Sequence, residues 1–180
     1  MLDRLVLSRP AGNGGILGSR SAAFRIAEVA VIAAAYAALT IFLAPMAYGP
    51  LQLRISEILK PLVIWEPQLI PAFVIGNMLG NIGSPFVGPW ELVWMPFANL
   101  VGAWACSRLG RVNPYLGAAA YAAVIAGAVS VMLSVILHAS LRALFPPLVV
   151  SEALLIVLGV PVMRPVHAAL QRVFGEAARR

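Results

Sequence analysis

Apolar residues run along this chain in long, nearly unbroken stretches, and the polar residues fall mostly at the ends of those stretches. The first stretch extends from about Ile26 to Ala44, where Pro45 and Gly49-Pro50 break it. Two shorter ones follow, about Ile55 to Trp65 and about Gln68 to Ile82, divided by Glu66-Pro67. A fourth covers about Pro89 to Ser107. The fifth opens at Asn113-Pro114, a capping residue followed by proline at the first helical position, and continues to about Leu137. The sixth is expected to begin at Ser151-Glu152, after an interruption at Pro146-Pro147, and to run to Phe174. Runs of about 20 apolar residues mark transmembrane helices. Strand-like alternation is missing, and lipid requires each backbone amide to be satisfied within its own helix or a closed barrel, so helices are expected.

Composition agrees with that pattern. Hydrophobic residues make up 61% of the 180 and charged residues 11%, well below the roughly one quarter of a soluble domain. The formal charge of +6 raises nucleic-acid binding as a possibility, but the arginines are scattered between apolar runs rather than gathered in a stripe. They serve better as topology signals. With six spans and the N-terminus inside, the cytoplasm receives Arg4, Arg9, Arg20, Arg25, Arg108, Arg111, Arg164, Arg172, Arg179 and Arg180. Only Arg54, Lys60 and Arg142 fall near or beyond the outer half. Five spans would place Arg108, Arg111 and the basic C-terminus outside, against the positive-inside rule. The expected organisation is therefore a flexible cytoplasmic tail over residues 1–25, a six-helix membrane domain over 26–174 and a basic cytoplasmic tail over 175–180. The first span is expected to be retained rather than cleaved as a signal peptide, since Ala44-Pro45-Met46-Ala47 is a poor cleavage site.

Laid over this topology, the polar residues sort to one side. Gln52, Arg54 and Glu57 stand at the outer start of the second span. Asn77 and Asn81 stand at the outer end of the third, spaced i and i+4 on one face. Glu91 opens the fourth span, with Asn99 deeper; His138 closes the fifth and Glu152 opens the sixth. Ionisable groups at membrane depth are expensive unless they face protein, water or ligand, so the convergence points to an outward-facing binding pocket. Plainer explanations exist for each residue. Glu91 and Glu152 suit the positive end of a helix dipole; Arg54 and Glu57, at i and i+3, suit an interfacial ion pair; Asn77 and Asn81 suit helix packing. Trp65, Trp90 and Trp104 fit an interfacial aromatic belt, while Trp94, one turn inside Trp90, is placed to stack on a flat ligand.

Small residues mark surfaces for partners. Ala30, Ala34 and Ala38 form a seam on the first span, widened by Ala33 and Ala37, and Gly76 and Gly80 form another beside the asparagines. The lone cysteine, Cys106, excludes an internal disulfide and offers no metal-ligand cluster. No phosphate-binding loop, no H-E-x-x-H and no G-x-S-x-G with a plausible triad occurs, so neither ATP hydrolysis nor catalysis of a recognised type is expected. No cofactor is expected either. Uphill transport would draw its energy from partners or a coupled ion.

The segment Tyr48-Gly49-Pro50-Leu51-Gln52-Leu53-Arg54-Ile55-Ser56-Glu57-Ile58-Leu59 resembles the loop and second-helix entry of the QueT family. These are the queuosine-precursor substrate-binding (S) components of energy-coupling factor (ECF) transporters. The resemblance continues through Gly76-Asn77-Met78-Leu79-Gly80-Asn81, Gly88-Pro89-Trp90-Glu91-Leu92-Val93, Ser151-Glu152-Ala153 and Gly159-Val160-Pro161-Val162. Glu91 stands where the family pattern has aspartate, and Ser151 where it has glycine. The resemblance implies an all-α integral membrane protein, a six-transmembrane-helix bundle of the S-component type in the cytoplasmic membrane. It implies a 7-deazaguanine-type ligand bound among Gln52, Arg54, Glu57, Asn77, Asn81, Glu91, Trp94, Asn99 and Glu152. Glu152 or Glu57 would receive the amidine-like edge of that base, Asn77 or Asn81 its carbonyl side, and Trp94 its face. It further implies docking on a transmembrane coupling subunit and two ATPase subunits through Ala30, Ala33, Ala34, Ala37 and Ala38. The alternatives are an S-component for a different vitamin, a standalone secondary transporter, and a membrane assembly protein without a ligand.

Overall fold

The computed structural model describes residues 22–49 and 52–177. The basic residues Arg4, Arg9, Arg20, Arg179 and Arg180, most of the expected N-terminal tail, and Pro50-Leu51 of the loop motif lie outside the described residues. Among those described, every regular element is helical: α1 Ala22–Phe42, α2 Ala44–Ala47, α3 Leu62–Trp65, α4 Ile70–Asn81, α5 Met95–Leu109, α6 Pro114–Ile136 and α7 Leu141–Ala177. Short 3₁₀ turns at Ile55–Leu59 and Pro67–Leu69 precede α3 and α4, and a π turn at Trp90–Trp94 leads straight into α5.

Three helices are long and apolar enough to cross a membrane: Ala22–Phe42, Pro114–Ile136 and the Leu141–Ala169 part of α7. The second and third expected spans have a different form. Ile55 to Trp65 is a 3₁₀ turn joined to the four-residue α3, and α4 has 12 residues. At 1.5 Å per residue, α4 extends about 18 Å against a hydrocarbon core of about 30 Å. α3 buries Leu62, Val63 and Ile64, whereas α4 keeps Ile75, Met78 and Leu79 exposed. α6 packs on both α5 and α7, α4 packs on α1 and α5, and α7 covers the Ile55–Leu59 turn.

Two local expectations differ from what forms. Pro146-Pro147 does not interrupt the chain: α7 begins at Leu141 and runs through Pro146, Pro147, Pro161 and Pro165. Prolines at 146 and 147 withhold donors from the carbonyls of Arg142 and Ala143, and both of those residues are exposed. Glu152 consequently lies well inside a helix, not in a first turn, so a helix dipole does not account for it. α7 runs on to Ala177.

Asn113 caps α6 as its position before Pro114 suggested, its Oδ1 accepting from the amides of Tyr115 and Leu116 at 2.9 and 3.3 Å. Close packing of α1 on α4 depends on Gly76, where an added Cβ would stand 2.9 Å from the Ala33 carbonyl oxygen. The core between helices holds Tyr36, Leu62, Phe73, Met95, Tyr121, Ile125, Met132 and Ile156. Within this apolar interior lies an unusual set of buried charges.

Candidate substrate-binding site

Five ionisable side chains, Arg54, Glu57, Lys60, Glu91 and Glu152, are each no more than 2% exposed. Burying so many charges is costly unless they pair and hydrogen-bond, and the chain satisfies that need unevenly. Glu57 is the better matched: its Oε1 accepts from the Tyr36 hydroxyl at 2.6 Å, and its Oε2 forms an ion pair with Lys60. The Lys60 ammonium lies over the rings of Tyr121 (4.7 Å) and Tyr36 (5.9 Å), a cationic site walled by aromatic faces. Thr40 extends the same polar layer, bridging the Tyr36 carbonyl at 2.9 Å and the Ser56 hydroxyl at 2.7 Å.

Arg54 precedes the 3₁₀ turn in extended backbone, with φ −86° and ψ 95°. That conformation turns its side chain away from Glu57, and the i, i+3 ion pair considered from the sequence does not form. Arg54 instead reaches α4 and the π turn. Its Nη1 donates to Asn81 Oδ1 at 3.0 Å, its Nε to the Ala47 carbonyl at 3.4 Å, and its Nη2 faces Glu91 Oε1 at 3.8 Å. The Tyr48 ring covers the guanidinium at 5.1 Å. Asn81 Nδ2 bonds Asn77 Oδ1 at 3.3 Å and the Glu91 carbonyl at 3.1 Å, so the i, i+4 asparagine pair joins α4 to the π turn. A π turn widens the helix locally and recurs at functional positions; here it carries Glu91 into the interior.

Several buried polar atoms find no hydrogen-bond partner among the described residues. They include Gln52 Oε1, Arg54 Nη2, both Glu91 carboxylate oxygens and Glu152 Oε2. Gln52 is held at φ 46°, a left-handed conformation that a glutamine adopts at a cost. Glu152 stands next to Glu57, within electrostatic reach of Lys60 and Arg54. Buried groups of this kind are rare in a native interior and call for a partner.

Not every expected site residue joins this set. Asn99 is buried deeper, donating to the Met95 carbonyl and accepting from the Tyr121 hydroxyl at 3.1 Å. Trp94 spends its indole N–H on the Ala128 carbonyl at 3.0 Å. Its ring borders apolar surface grooves with Phe97 and Val131. His138 is exposed at the α6–α7 turn. Of the alanine seam, Ala33 and Ala37 are buried, while Ala30, Ala34 and Ala38 remain exposed. Ala30, Ala33 and Ala34 flank an apolar groove of about 590 Å³ between α1 and α4, opposite Pro71, Ile75 and Leu79. Reading the sequence for sites missed Lys60, Tyr36 and Tyr121. A lysine between Leu59 and Pro61 in an otherwise apolar segment was the available signal for the first; the tyrosines gave none, being common in membrane helices.

No group of three or more His, Cys, Asp or Glu able to hold a metal occurs among the described residues. Partly unpaired charges gathered inside an apolar helical bundle suit a site for a polar small molecule. The family model of the QueT transporter matches residues 26–168, and the chain belongs to that family. No curated protein and no solved structure matches the chain.

Proposed function

We propose that the chain is the substrate-capture subunit of an ECF-type importer and binds a queuosine precursor of the 7-deazaguanine type. The observation that carries this reading is the Arg54–Glu91 pair. Arg54 Nη2 offers a donor, and 3.8 Å away Glu91 offers two carboxylate oxygens without hydrogen bonds. A 7-deazaguanine presents the complementary edge: a carbonyl oxygen, then a ring N–H, then an exocyclic amine. Parallel N–H donors on a carboxylate make a short, charge-assisted bidentate contact. Glu57, spent on Tyr36 and Lys60, is poorly placed for that role. Gln52 Oε1 adds a further acceptor, which suits a donor-rich base.

In this reading the bundle crosses the cytoplasmic membrane six times with both termini inside, and the site opens outward. Ala30, Ala34 and Ala38 form the face that meets the transmembrane coupling subunit, and two ATPase subunits supply the energy. Membership in a transporter family and the lack of any phosphate-binding loop in the sequence support that division of labour.

Titration of the purified protein with 7-deazaguanine derivatives, alongside unrelated vitamins, tests the assignment. Binding of the base that falls at least about tenfold in Glu91→Gln supports it, as a lost bidentate charge-assisted contact requires. Binding of an unrelated vitamin with none of the base removes the substrate while leaving the transporter class.

A further inference from the structure

The flank of the bundle formed by α5, α6 and α7 carries a continuous apolar groove. Short connections join α5 to α6 and α6 to α7, so α6 runs opposite to both, and Glu91 and Arg142 share one end of the bundle. From that end a groove of about 300 Å³ descends between α6 and α7, lined by Leu141, Arg142, Phe145, Val131 and Gly127. At Gly127 and Val131 it meets a hollow of about 200 Å³ that continues to Val101 and Val124. Trp94 and Phe97 join this to a third, of about 430 Å³, beside Pro89 and Trp90. The floor is open at Gly127, where an added Cβ would meet nothing within 4 Å. Its wall at Trp94 is fixed by the indole bond to the Ala128 carbonyl.

Arg142 is the charged side chain on this path. It is exposed and joins no ion pair among the described residues, and α7 has no acid in its first turn. A guanidinium placed so holds a phosphate through two parallel hydrogen bonds. Below it, α6 rises about 18 Å between Val124 and Ile136, slightly more than half of a hydrocarbon core of about 30 Å. One acyl chain fills that depth. We infer that the groove seats one anionic glycerophospholipid, its phosphate on Arg142 and a chain laid along Val131, Gly127 and Val124. A zwitterionic head group brings a cation that no first-turn acid of α7 meets, so lipids of net negative charge are preferred. The seated chain packs on the Trp94 ring and steadies the π turn that carries Glu91. This lipid seat is independent of what occupies the buried site.

The test adds palmitoyl-oleoyl phosphatidylglycerol, or the phosphatidylcholine of the same chains, to the purified protein in detergent. Native mass spectrometry of the wild type is expected to show one retained phosphatidylglycerol per chain. Its retention should exceed that of phosphatidylcholine by at least about fivefold, roughly the factor one arginine contributes at an anionic head group. Arg142→Gln is expected to bring the two lipids within about twofold of each other. Gly127→Leu, whose side chain enters open space in the groove, is expected to lower retention of both while circular dichroism stays that of the wild type. Equal retention of the two lipids by the wild type would overturn the inference. A preference for phosphatidylglycerol that survives Arg142→Gln would overturn the anchor, and retention unaffected by Gly127→Leu would overturn the seat. A wild-type dimer that Gly127→Leu dissolves would make a second copy of the chain the occupant and overturn the lipid assignment.

Discussion

The Lys60 ammonium lies 4.7 Å from the centre of the Tyr121 ring while its charge is matched by Glu57, so a lysine with no exposed surface is held between a carboxylate and an aromatic face. This arrangement ties the Ile55–Leu59 turn to α1 through Tyr36 and to α6 through Tyr121. Removing one member of a buried pair leaves the other charge stranded, at about 3–5 kcal/mol. Lys60→Met is expected to lose stability in that range in detergent unfolding, and the double variant Lys60→Met/Glu57→Gln to recover much of it. Wild-type stability in the single variant would show that the pair does not hold the turn in place.

Gly159 gives a sharper packing test. An added Cβ would stand 2.4 Å from the Ile58 carbonyl oxygen, where α7 crosses the same turn, whereas at Gly127 it would meet nothing within 4 Å. Gly159→Ala is expected to cost about 1–3 kcal/mol through overpacking, and Gly127→Ala, inside α6, to be neutral or stabilising by up to about 1 kcal/mol. Thermal unfolding of the two variants side by side checks this, and equal midpoints would contradict it.

Asn81 supplies the oxygen that steadies Arg54. Asn81→Ala deprives Nη1 of its 3.0 Å partner and frees the link to the Glu91 carbonyl. A buried donor left unsatisfied costs about 1–3 kcal/mol. Ligand affinity is expected to fall by about tenfold or more in this variant while the protein remains folded. Unchanged affinity would place the ligand away from the Arg54–Glu91 pair.

How much of this was legible beforehand varies by residue. Helix content, the long first and fifth apolar runs and the Asn113 cap follow from local rules, and they form as those rules require. The asparagines could be paired from their i, i+4 spacing alone. Partners of Arg54 could not, because extended backbone at residue 54 sends the side chain to positions 27 and 37 residues away. Pro146-Pro147 misled for a different reason. Proline is a strong breaker by propensity, but an apolar helix held by α6 tolerates two missing hydrogen bonds near its exposed start. Glu152 thus moved from a helix end, where an acid is unremarkable, to a buried position where it demands a partner.

Exposed and buried alanines on α1 allow the proposed docking role to be tested apart from folding. Ala34→Trp changes an exposed position beside the α1–α4 groove, and Ala37→Trp a buried one. Ala34→Trp is expected to abolish co-purification of the coupling subunit while ligand titration matches the wild type. Ala37→Trp is expected to lower stability by about 1–3 kcal/mol or more through overpacking. A coupling subunit that still co-purifies with Ala34→Trp would move the docking face elsewhere.

The most direct measurement is the mass of whatever small molecule accompanies the protein when it is purified from a host supplied with queuosine precursors. Native mass spectrometry is expected to show one bound 7-deazaguanine per chain, lost in Glu91→Gln. An unrelated vitamin in that position, or a protein that stays ligand-free when the base is added in excess, would contradict the account.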